Sequence, residues 1–141
     1  MSADFETVMQ ALLAQLQTLI SDFVTVGRRV IHWTQVANQP ALFLRRIGTH
    51  DSYQGHLPVT TIDCEIWIYC NAGQDPTQAP DATLTTLENK VRAAMTPDDQ
   101  MRFTLNNLVY WCRIEGKSDI SPGDQGAQSI ARIPVKITLP F

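Results

Sequence analysis

The chain has 141 residues, of which 44% are hydrophobic and 18% charged, with a formal charge of −3. That length suits one domain with a packed core, and seven glycines and eight prolines are too few for a fibrous or disordered class. The eleven basic residues are dispersed apart from Arg28-Arg29 and Arg45-Arg46, so the clustered stripe that grips nucleic-acid phosphates is missing.

Phe5, Met9, Leu12, Leu16, Leu19 and Phe23 recur in steps of four and three, which predicts an amphipathic helix. Ser2 is its expected N-cap, and Gly27-Arg28-Arg29 its expected stop, although the β-branched run Val24-Thr25-Val26 can end it earlier. Residues 30–39 lack periodicity and read as a short helical turn or an irregular connection closed by Pro40. Ala41–Ile47 reads as a first strand. Gly48–Pro58 is polar and bounded by glycines and a proline, hence a long loop.

Val59–Cys70 alternates, with Ile62, Cys64, Ile66, Ile68 and Cys70 on one side and Asp63, Glu65, Trp67 and Tyr69 on the other. After a turn-rich break at Asn71–Pro80, Asp81 caps a second helix through Leu84, Leu87, Val91, Ala94 and Met95, stopped at Thr96-Pro97. Phe103–Glu115 reads as a third strand and Gly116–Gln125 as a second polar loop. In the closing strand, Ala131, Ile133, Val135, Ile137 and Leu139 alternate against Arg132, Pro134, Lys136 and Thr138. Pro134 cannot donate to a ladder, which places this strand at an edge or turns that position away from its neighbour. The expected fold is one α+β domain over 1–141: a mostly antiparallel four-stranded sheet with two main helices on one face, in the order α-β-β-α-β-β.

Little in this pattern concentrates catalytic chemistry. Cys64 and Cys70 share a face but lie about 20 Å apart along an extended strand, and no C-x-x-C pair exists. With His32, His50 and His56 scattered, no metal and no cofactor is expected. The three cysteines alternate in phase with apolar residues and read as inert core thiols. Asp63 and Glu65 can face Arg113, Arg132 or Lys136 across the outer face of the sheet. No stretch reaches the ~18 continuous apolar residues of a membrane span, and the start lacks a basic leader, so a soluble, intracellular protein is expected. Trp67, Tyr69 and Trp111 crowd the charged face and need a cover, either from the 25–40 segment or a long loop, or from a neighbouring subunit.

The leading helix, Trp33 with Gln39-Pro40 ahead of Ala41–Ile47, the run Glu65-Ile66-Trp67-Ile68-Tyr69, the helix Leu84–Met95 and the Ser-Pro-Gly-Asp loop before the last strand resemble the tail terminator and tail-completion proteins of long-tailed bacteriophages. The resemblance spans about residues 5–139. It implies a virion structural protein, not an enzyme, assembled in the host cytoplasm and located at the head-tail joint. Such a protein forms a homo-oligomer, typically a hexameric ring, on the head-proximal end of the tail tube. Its partners are the tail tube protein and a head connector or neck protein, with genomic DNA only passing through. Candidate interface residues are Tyr53 and His56 in the first loop, Trp67, Tyr69 and Trp111 on the outer face, and Asp119 and Asp124 in the second loop. Other expectations are a phage neck or baseplate adaptor, or a small intracellular enzyme or ligand-binding domain with a pocket beneath Gly48–Pro58 and His50 or His56 as base.

Overall fold

The computed structural model describes residues 4–72, 77, 81–96, 104–105, 107–122 and 128–139. Helix α1 spans Phe5–Leu19 and α2 spans Ala82–Met95; strands β1 (Thr25–Gly27), β2 (Ala41–Gln54), β3 (Leu57–Asn71), β4 (Trp111–Ile114), β5 (Asp119–Ser121) and β6 (Gln128–Leu139) form one sheet. The strand order is β1-β2-β3-β6-β4, with β5 also paired to β6. β1 runs parallel to β2, and every other pairing is antiparallel.

The expected four-stranded antiparallel sheet in the order α-β-β-α-β-β is therefore wrong: the molecule is built on a curled, mixed, six-stranded sheet. The two unforeseen strands, β1 and β5, are three residues each, too short to show a period of two. β1 also consumes the end of the expected first helix. Val24-Thr25-Val26 loses side-chain freedom in a helix and is accommodated on a pleated surface, so α1 stops at Leu19 and the chain turns into the sheet. The helix begins at Asp4, whose carboxylate accepts from the Thr7 amide at 3.2 Å. Ser2, the expected cap, lies outside the described residues, as do most of the 71–80 break, Pro97, and Phe103 and Asn106 of the expected third strand.

The inner face of the sheet carries Leu42, Leu44, Ile62, Cys64, Ile66, Ile68, Ala131, Ile133, Val135, Ile137 and Leu139, packed with Val8, Met9, Leu12 and Leu16 of α1 and Leu84, Leu87 and Val91 of α2 in one buried cluster. A smaller cluster lies on the opposite face, where Val36 packs with Ala41, Phe43 and Tyr69 beneath the 30–36 segment, which includes a 3-10 turn at Trp33–Gln35.

The third strand departs from expectation, and of the two placements expected for the closing strand the second is the one seen. The third strand shrinks to Trp111–Ile114, preceded by turns in which Leu105 and Asn107 adopt positive φ (50° and 68°). β6 is interior, between β3 on one side and β4 and β5 in tandem on the other. Pro134 is tolerated because its carbonyl, and hence its missing N–H, point toward the gap between β4 and β5, where the Glu115 amide donates to that carbonyl at 3.2 Å. Gly116 lines the same gap at φ +118°, where an added Cβ would sit 3.1 Å from the Pro134 ring.

Candidate assembly surfaces

The Gly48–Pro58 stretch, expected as a loop, is the distal part of a long β2–β3 hairpin. Its turn is only Gly55-His56, with Gln54 paired to Leu57, and Gly55 takes φ +66° at the first central position, where primed hairpin turns need it. The sequence hides these strands because the arm has no buried face and so no alternation of polar with apolar residues. An irregularity between Arg46 and Gly48 leaves Ile47 without a partner in the register and shifts the face of every later residue on β2.

The last β3 residue with a partner on β6 is Thr60, opposite Leu139. Beyond it, Ser52–Val59 is a two-stranded arm among the described residues. β1 reaches only to Phe43, so no described strand pairs with the outer edge of β2 past that point. Tyr53 is 71% exposed and Leu57 48%, and Ile47 at the arm's base is 57% exposed. From residue 47 to 62 the only carboxylate is Asp51, which accepts from the Thr60 hydroxyl across the hairpin at 2.9 Å.

The outer face at Trp67 is organised differently. Glu65 accepts from Arg45 Nε and Nη2 at 3.1 and 2.9 Å and from Trp67 Nε1 at 3.2 Å, and its other oxygen lies 3.3 Å from Arg132 Nε. The two guanidinium carbons stand 5.2 and 5.8 Å from the Trp67 ring, within cation–π range. Arg132 also donates to Asp119 of β5, and this bond holds the Asp119 carboxyl below its ordinary value. Lys136 meets Asp63 at 3.2 Å, and Arg113 meets Glu115 at 3.2 Å while stacking 3.9 Å from the Trp111 ring.

Tyr69 is 3% exposed. Its hydroxyl donates to the Ile31 carbonyl at 2.7 Å and its ring meets Phe43 edge-on at 5.7 Å. Burial pushes its phenol upward. The cover that this aromatic demands is thus supplied by the chain's own 30–36 segment, which removes Tyr69 from any exposed patch. Trp67 and Trp111 are half-buried under arginines.

The seven expected interface residues consequently do not form one surface. Tyr53 and His56 share the arm, Trp67 and Asp119 flank a shallow groove with Ile120, Ser121, Ile130 and Arg132, and Trp111 lines a separate cleft. Asp124 lies outside the described residues. What sequence reading missed is the strand character of the arm and the pivotal place of Glu65. Only the phase of Glu65 and Arg132 on their strands hinted at the latter.

The cleft holding Trp111 has a volume of about 370 Å³ and brings together His50, Thr61, Asp63, Arg113, Glu115 and Lys136, most of them already in ion pairs with one another. His56 lies at the hairpin turn, outside this lining. Cys64, Cys70 and Cys112 are buried and unbridged; burial pushes the Cys64 thiol up to about 12 and raises the other two. Among the described residues no three His, Cys, Asp or Glu side chains converge as a metal site, and no helix is long and apolar enough to cross a membrane. The sequence matches no protein-family model and no curated protein.

Proposed function

We propose that this chain is a virion structural subunit of the tail terminator or tail-completion type, which closes as a hexameric ring on the head-proximal end of a phage tail tube. There it ends tube polymerisation and joins the tail to the head connector. The observation that carries this reading is the arm: Ser52–Val59 projects past the last described residue of β6 with exposed Tyr53 and Leu57 and an outer edge that no described strand pairs with. A lone two-stranded hairpin is only marginally stable in water, and an open strand edge is a template for another chain. A subunit that works by contact puts such a feature to use.

A ring needs two unlike patches on each subunit, so that the contact repeats around a closed rotation. A terminator also needs unlike ends: one surface offers the growing tube what the next tube subunit would offer, and the opposite surface presents no further acceptor. The family resemblance carried by the Trp33, Gln39-Pro40 and Glu65–Tyr69 residues supports the same assignment. The test is electron microscopy of tails assembled with and without this protein. Tails of uncontrolled length that fail to join heads in its absence are the expected result; tails of unchanged length that join normally would overturn the reading.

A further inference from the structure

The groove beside Trp67 is an apolar concavity on the charged outer face. Its floor is Trp67, Ile120 and Ile130, its rim the Arg132–Asp119 ion pair and Ser121, and its volume about 190 Å³. Ile120 remains 41% exposed there. An apolar cavity of about 150 Å³ suffices to hold a benzene ring, so this groove has room for one phenol, with polar groups at the rim for its hydroxyl.

The molecule's own arm cannot fill it. Tyr53 pairs with Pro58, and from Pro58 to Trp67 the β3 strand runs roughly 30 Å at about 3.3 Å per residue, with the arm pointing away. A knob at one end of a sheet and a matching hole near the other make a heterologous contact, which generates a ring or a filament from identical copies. The charge pattern agrees. Asp51 is the arm's only carboxylate and is already engaged by Thr60, and the groove floor is uncharged, whereas the surrounding face is dense in ion pairs. Depletion of charge around an exposed aromatic is the composition of an interface centre.

We propose that Tyr53 of one copy seats in the groove formed by Trp67, Ile120 and Ile130 of a second copy. This identifies the subunit contact of the ring and rests on the reading of the chain as a ring-forming subunit. An aromatic anchor of this kind carries at least about 2 kcal/mol, so Tyr53→Ala weakens self-association about 30-fold or more.

The direct test uses two single variants, Tyr53→Cys and Ile120→Cys, at exposed positions where the fold does not depend on the side chain; equal thermal midpoints to wild type verify this. Under mild oxidation the mixture gives a disulfide-linked dimer, while neither variant alone does. Sedimentation of the wild-type chain and of the variant mixture is measured alongside, at a concentration raised far enough to offset the loss of the Tyr53 ring, and the outcomes below are read from the mixture. No cross-link from chains that sediment as rings overturns the arm-in-groove contact and leaves ring formation standing. No cross-link from chains that stay monomeric at hundreds of micromolar overturns it as well, and tail-length control in particles then judges the terminator reading separately. A cross-link combined with unaltered tails in the protein's absence keeps the contact and rejects the terminator role.

Discussion

The outer sheet face and the hairpin arm carry comparable aromatic side chains in opposite states. Around Trp67, the charged groups have partners on the same chain, Arg45 and Arg132 over the ring, Glu65 beneath them and Asp119 beyond, while Ile120 in the adjoining groove stays 41% exposed. Next to it Tyr69 is sealed by the 30–36 segment. On the arm, Tyr53 has neither ring nor cation against it among the described residues and stands 71% exposed. Aromatic content alone therefore does not locate a contact surface. The distinguishing property is whether the chain completes the side chain's surroundings by itself.

Substitutions should separate the two regions. Tyr69→Ala removes a buried ring and its bond to the Ile31 carbonyl, and is expected to destabilise the fold by about 3–5 kcal/mol, read from urea unfolding. Tyr69→Phe removes only the hydroxyl and leaves that carbonyl unpaired, for a loss of about 1–2 kcal/mol. If both variants were as stable as wild type, the intramolecular cover would be refuted. Glu65→Gln strips the charge that joins Arg45 to Arg132 and should cost about 1–3 kcal/mol, since the carboxylate is nearly buried while both arginines are partly solvated.

Acid should act next. The Asp119 carboxyl is depressed by its bond from Arg132, so its contribution is complete above the unfolded-state value of roughly 3.9 and fades as pH falls through the lower folded value. Below about pH 4, amide protection in Asp119–Ser121, taken relative to the intrinsic exchange rate at each pH, should fall, and Asp119→Asn should remove that acid dependence. The smallest effect on the stability of the monomer is expected at Tyr53→Ala, within about 0.5 kcal/mol, because that side chain is mostly exposed.

How much of this was legible in the sequence follows from which residues face a core. β3 and β6 were readable because each alternates between a buried inner side and a charged outer side, and α2 because Leu84, Leu87 and Val91 repeat toward the sheet. The arm was not, since its strand order comes from pairing between β2 and β3 and the two-residue turn at Gly55-His56. β1 and β5 were invisible for a related reason: three residues paired to a longer strand take their conformation from that strand. Among the candidate site residues, Tyr53 and His56 were placed on a projecting element by their polar surroundings, although its form was misread. For Tyr69, alternation assigns a face and cannot choose between the two expected covers, the 25–40 segment and a neighbouring subunit; the first is the one seen. The partners of Glu65 were half legible, with Arg132 in phase and Arg45 hidden at the end of a run read simply as apolar.

The most direct measurement is sedimentation velocity of the wild-type chain beside Tyr53→Ala at matched concentrations, with thermal unfolding of both. A wild type that sediments as a closed ring, and a variant that sediments as a monomer yet unfolds at the same midpoint as wild type when both are diluted to monomers, is the predicted result. Two species that sediment identically would contradict assembly through the arm.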